Sequence, residues 1–215
     1  MDIKQAIERL NSQLPLQARQ SQLAPELKAT HQAILRSLVN KGQPPTPAEL
    51  EKLLGENAVD DGLQRLAKDD LIVLDTVGKQ VVGAYPVTIE KTPHRILVNG
   101  HNIFAMCALD AVSVAPMFDA HIEIASQCNI TREPIAITMQ GAEILTVQPS
   151  SEVRIGVRWQ MPCGVAAHSM CLEMVFLLNE QVASEWQNDD VENKSLFDLP
   201  HAVEFGRQFF MPLLD

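Results

Sequence analysis

Apolar positions recur at helical spacing along the first 85 residues. Ile3, Ile7 and Leu10 give a short amphipathic opening helix that Pro15 interrupts. Leu27, Ile34, Leu35 and Leu38 line the apolar side of a second helix, Pro25 to Asn40, and Lys41-Gly-Gln-Pro-Pro supplies a glycine stop followed by proline. Thr46-Pro-Ala-Glu49 is a capping box with proline at the first helical position, so another helix starts there and runs to Leu54-Gly55. A further helix, Ala58 to Asp69, leads into Leu71–Leu74, a polar turn, and Val81–Tyr85. Three helices and a two-strand hairpin follow the order of a winged-helix module.

From Pro86 the period shortens to two. Val87–Glu90 and Arg95–Val98 read as strands, the second closed by the Asn99-Gly100 turn. A helix is predicted over Ile103–Val114, stopping before Pro116. Alternation then returns in His121–Ala125, Ile135–Thr138, Ile144–Val147 and Val153–Trp159, the mark of antiparallel strands. Cys171–Leu178 reads as a buried strand or an apolar helix. Pro200–Leu214 reads as a closing helix with Val203, Phe209, Phe210 and Leu213 inward. The expected class is α+β: a helical, winged-helix-like domain over 1–85, then a core over 86–215 of mostly antiparallel β-strands with flanking helices. No repeat or low-complexity segment interrupts it.

Composition narrows the function. At 215 residues and 46% hydrophobic the chain can bury a real core. No apolar run reaches the roughly 18 residues of a membrane span, and the charged, amphipathic N-terminus has no signal-peptide core, so a cytoplasmic location and no membrane partner are expected. The net charge of −10 argues against nucleic acid as a partner. The front module is therefore read as packing or a lid more readily than as a DNA reader.

Four cysteines, Cys107, Cys128, Cys163 and Cys171, are too few for a disulfide framework in a chain this long, which makes thiol reactivity the question. Phe104-Ala-Met-Cys107-Ala-Leu-Asp110-Ala-Val sets a thiol and a carboxylate three apart, on one face if helical. A helix N-terminus would lower the pKa of Cys107. Apolar neighbours Phe104, Met106 and Leu109 would raise that of Asp110, leaving it a proton to donate. Cys171, in Ser169-Met-Cys-Leu-Glu, offers a second thiol. Two thiols and one acid suit chemistry on a soft atom. The competing reading is that free cysteines are small buried hydrophobes. Cys128 fits that description, and Cys163, in Met161-Pro-Cys-Gly, fits an exposed turn. His101, His121 and His168 lack metal-ligand spacing to any cysteine, and Cys-x-x-Cys pairs, glycine-rich phosphate loops and nucleophile elbows are missing.

The block Ile103–Val112 resembles the active-site segment of the alkylmercury (organomercurial) lyases. Ile122–Cys128 is similar to the family's next strand with its structural cysteine, and Ser169-Met-Cys171 to the segment with the second catalytic cysteine. Glu185-Trp186 and Gly206-Arg-Gln-Phe209 also have counterparts, so the likeness covers about residues 25 to 210. It implies that Cys107 and Cys171 bind mercury as thiolates, with Asp110 nearby. It also implies that Asp110 carries a proton from a thiol to the leaving carbanion. The products would be a hydrocarbon and mercury(II), with no separate cofactor required. Cellular thiols and a mercuric reductase are the implied acceptors, and mercury resistance the implied role. The chain departs from the pattern at Met106, where an aromatic residue is common, at Leu172 and Glu173, where some members have cysteine and histidine, and in its extra Cys163. Two rival functions remain: a non-catalytic soft-metal carrier or sensor, and a lyase acting on another organometal such as organotin or organolead.

Overall fold

A computed structural model describes all 215 residues. Helices α1 (Ile3–Gln13), α2 (Leu16–Ser21), α3 (Pro25–Lys41), α4 (Pro47–Leu54) and α5 (Val59–Lys68) come first. The Thr46/Glu49 capping box forms as the sequence indicates, and Gly42 ends α3 at φ +68°. The hairpin follows as β1 (Val73–Leu74) and β2 (Val81–Ala84), but it does not stand free as a wing. β2 pairs onward with β3 (Val87–Thr88), so the hairpin is the edge of the main sheet. That sheet adds β4 (His94–Val98), β5 (His101–Ala105), β6 (His121–Gln127), β7 (Pro134–Gln140) and β8 (Glu143–Gln148), with every pair antiparallel and in the order β1-β2-β3-β5-β4-β6-β7-β8.

The helix predicted over Ile103–Val114 is divided differently. Ile103 and Phe104 lie in β5, where Ile103 faces Ile96 of β4, and the helix α6 spans Ala108–Phe118. Period-two pairing across β4–β5 overrides the helical propensity of the Ala and Leu around it. Nor does Pro116 stop α6. Every residue from Ala108 to Met117 is buried, and packing on all sides outweighs the one backbone bond that proline removes.

A second, three-stranded sheet escaped the sequence reading in part. β9 (Arg154–Arg158) lies between β10 (Met174–Leu177) and β11 (Lys194–Asp198). Helix α7 (Glu180–Gln187) and strand β11 were not anticipated, because Glu180–Asp198 is too polar and too short in period to signal either. The segment Cys171–Leu178 resolves into a short 3-10 turn, Met170–Glu173, and β10. The closing helix α8 spans Leu199–Phe210.

Helix α6 packs on the large sheet on one side and on α8 and β10 on the other. The front helices join the same interior: residues from α1 to α5 and from both sheets belong to one continuous apolar cluster. Gln20 ties the N-terminal and C-terminal ends together, donating to the Leu213 carbonyl at 2.8 Å and meeting buried His31 Nδ1 at 2.8 Å. No helix is long and apolar enough to cross a membrane.

The α6–α8 crossing is the tightest contact. A Cβ added at Gly206 would stand 1.9 Å from Ser113 Oγ and 2.9 Å from Ser113 Cβ. Gly206→Ala should cost about 1–3 kcal/mol by urea unfolding, in the range of overpacked cores. Adding Ser113→Ala should recover part of that loss by removing the nearer clash.

Candidate active site

Strand β5 ends at Ala105, and Met106 and Cys107 carry the chain into α6. Cys107 is therefore the N-cap and not a residue inside the helix. Its extended backbone directs Sγ at the first turn, where it accepts a hydrogen bond from the Asp110 N–H at 3.3 Å. A serine or aspartate normally fills this role, and a thiol does so more weakly. The three-residue spacing thus reflects a cap and its N3 partner instead of two neighbours on one helical face. The Cys107 thiol in turn donates to Met174 Sδ at 3.7 Å, at the start of β10.

Cys171 comes from the 3-10 turn before β10. One ligand atom each from Cys107, Asp110 and Cys171 lies within 4.8 Å of the other two. The three residues are 1%, 2% and 3% exposed. Asp110 Oδ2 has no hydrogen-bonding protein partner.

Burial decides the charges here, because it penalises the ionised form of acids and thiols alike. It pushes the Asp110 carboxyl up to about 7, against the opposing pull of the Cys107 thiol and backbone. It also holds the Cys107 thiol well above its ordinary range, helped by Cys171 and Asp110. At Cys171 the contact with Cys107 favours the thiolate, but burial and the Asp110 and Asp70 carboxylates outweigh it, and its pKa is raised. The raised Asp110 pKa agrees with the sequence reading. The lowered Cys107 pKa does not: the helix N-terminus is a weak influence beside complete desolvation.

A separate 3-10 turn, Ala166–His168, immediately precedes the one that carries Cys171, and it is fastened from the front of the chain. Tyr85 Oη donates to Asp70 Oδ1 at 2.9 Å and accepts from the Ala167 N–H at 2.8 Å. Asp70 Oδ2 accepts from the Ala166 N–H at 3.1 Å. Arg19 stands 3.9 Å from that carboxylate and donates to the Asp69 carbonyl at 3.1 Å. Asp70 takes the left-handed conformation, φ +53°, to aim its carboxylate across the gap. Neither Tyr85 nor Asp70 was singled out from the sequence, since nothing local marks a contact that spans almost 100 residues.

A cavity of about 360 Å³ leads to the cluster. Cys171, Met106 and Met174 line it, whereas Cys107 and Asp110 do not. His94 also lines it, packed edge-on to Phe176 with ring centroids 5.6 Å apart and with Nδ1 2.8 Å from Ser126 Oγ. Burial lowers the His94 pKa to about 4, which leaves the imidazole neutral. The other candidates lie apart. His101, His121 and Cys163 are exposed, and exposed His168 meets Glu90 at 4.0 Å on the cavity rim. Cys128 is buried in the β6–β7 turn, where it accepts from the Thr131 N–H at 3.5 Å, as a structural thiol would.

The family model for alkylmercury lyase matches residues 87–211, from β3 through α8. The chain belongs to the alkylmercury lyase family. It is 28% identical to the alkylmercury lyase of Staphylococcus epidermidis (strain ATCC 12228 / FDA PCI 1200) over 163 residues, which is 75% of this chain and 74% of that protein. Identity to the alkylmercury lyase of Bacillus cereus is 25% over 205 residues, 95% of this chain and 91% of the relative, so the alignment takes in the front helices as well. The crystal structure of the mercury-bound form of MerB2 has the same fold, with a TM-score of 0.78 at 22% identity, covering 93% of this chain and 98% of that one. The α+β class expected from the alternation of strands and helices is thereby borne out.

Tyr85→Phe should leave Asp70 Oδ1 and the Ala167 N–H without their bonds and destabilise the fold by about 1–3 kcal/mol, the cost of orphaned buried polar groups. Alkylation of Cys171 by a small thiol reagent should become faster as the turn preceding it loosens. Asp110 gives a separate signature in stability. Its pKa in the folded state, about 7, lies above the 3.8 of an ordinary Asp, so the folded state holds the proton more tightly. The contribution is complete below about 4 and is lost as pH rises through 7. Asp110→Asn should flatten that decline when urea midpoints are compared between pH 5 and pH 8.

Proposed function

We propose that Cys107, Cys171 and Asp110 make this chain an organomercurial lyase, a protonolytic enzyme that takes R–Hg–X to a hydrocarbon and thiolate-bound mercury(II). The observation that carries the reading is the convergence of two thiols and one carboxyl within 4.8 Å of one another in a buried site. Mercury is the substrate's own metal, and sulfur is the ligand type that soft metals prefer.

Access sets the order of events. Cys171 lines the cavity and Cys107 does not, so Cys171 meets the substrate first. Its sulfur bonds to mercury, X⁻ departs, and the thiol proton leaves with it as HX. Cys107 then adds as the second sulfur and gives its proton to Asp110. Two thiolates load the metal with electron density and weaken the carbon–mercury bond. Asp110 returns the proton to the departing carbon, R–H leaves, and mercury(II) stays between the two sulfurs. Each thiol has lost one proton, one to X⁻ and one to carbon. A carboxyl with a pKa near 7 suits this relay, because a group that must both accept and donate works best near the operating pH. Cellular thiols, followed by a mercuric reductase, are the acceptors that would clear the product.

Incubation with methylmercury and excess thiol, with methane read in the headspace, tests the reading. Cys107→Ser and Cys171→Ser should abolish methane. Asp110→Asn should slow it by about 10²–10⁴, the usual worth of a positioned acid–base, while still binding mercury(II). The wild-type rate should rise with pH through about 7 as Asp110 ionises to receive the Cys107 proton, and the variant should lose that limb. Tight binding of methylmercury with no methane over many hours would leave a carrier instead of an enzyme. Parallel turnover of organotin and organolead substrates would expose a different organometal preference.

A further inference from the structure

We propose that Met174 is a third soft ligand to mercury, its thioether joining the Cys107 and Cys171 sulfurs around the metal. The inference rests on the lyase reading above and concerns a residue outside its catalytic trio. Met174 is 3% exposed and opens β10, three residues after Cys171, so the backbone that presents one thiol also presents the thioether. Its Sδ accepts the Cys107 S–H at 3.7 Å. The contact sets the two sulfurs side by side, so a metal bound at Cys107 Sγ lies within reach of the thioether.

Distance supports a shared metal. With metal–sulfur bonds of about 2.3 Å, as zinc makes, two sulfurs on one ion stand roughly 3.8–4.0 Å apart at tetrahedral or trigonal angles. Mercury is larger and asks for slightly more, which the flexible methionine side chain can supply. The present separation needs only a small adjustment. Position agrees as well: Met174 lines the cavity beside Cys171 and touches Cys107, which does not line it, so it bridges the entry route and the deeper thiol. Neutral thioether and thiolate differ in role. The thioether adds electron density without adding charge, and it asks for no proton to be moved. In this arrangement a third sulfur weakens the carbon–mercury bond further and keeps mercury(II) in place after the hydrocarbon departs.

The test is mercury L3-edge absorption of the full-length protein grown on selenomethionine and loaded with one equivalent of mercury(II) chloride, in a Cys163→Ser background that removes the exposed competing thiol. The expected mercury shell holds two sulfurs and one selenium. Met174→Leu, close to volume-conserving, should remove the selenium and lower kcat for methane release several-fold with little change in KM. A shell of two sulfurs and no selenium would overturn the proposal and leave the lyase reading intact. A mercury shell unchanged by Cys107→Ser with Cys171→Ser would overturn both.

Discussion

Asp110 is enclosed beside two thiols with one carboxyl oxygen lacking a protein partner, and an ionised carboxylate in that position forfeits its hydration. The whole site is arranged around that cost. The penalty raises the carboxyl toward neutrality, and the same burial raises both thiols. None of the three groups is comfortable as an anion, and at most one charge is easily carried among them. An arriving cation changes that balance at once. In the proposed reaction such a cation would let two thiolates exist side by side, coupling proton loss to metal capture.

Holding such a cluster together requires rigid support, because its members gain little from one another. Helix α6, buried on every side between the large sheet and α8, fixes Cys107 and Asp110 through the cap bond between them. Cys171 has no such frame. It rides on a 3-10 turn, and the turn just before that one is anchored by the Asp70–Tyr85 pair, which accepts the Ala166 and Ala167 N–H groups. The front helices therefore contribute to the site without touching it. Arg19 steadies Asp70, and the same helices are bonded to the C-terminal turn through Gln20.

Local pattern made much of the fold legible. The capping box at Thr46, the glycine stop at Gly42 and the alternating runs of β6 to β9 each depend on residues within a few positions of one another. The errors fall where distant contacts compete with local preference. Ile103 became a strand residue because it pairs with Ile96 of β4 while β3 pairs with the two residues after it, and Pro116 stayed inside a helix because burial outweighed a missing bond. The polar stretch holding α7 and β11 carries a weak local signal, and β11 is a strand because β9 needs a partner.

By itself, the sequence determined the candidate groups and their likeness to a known constellation, since Cys107, Asp110 and Cys171 are marked by residue type. It also determined most of the element order, which short-range periodicity encodes. Tertiary structure alone decided how far apart those groups stand, which of them the cavity reaches, and which way the thiol proton affinities move. Those quantities depend on burial and on partners up to almost 100 residues away, such as Asp70 holding the turn before Cys171 and Met174 against Cys107. Desolvation reverses the thiol pKa that a helix end would give, because the full burial of Cys107 comes from elements distant in the chain.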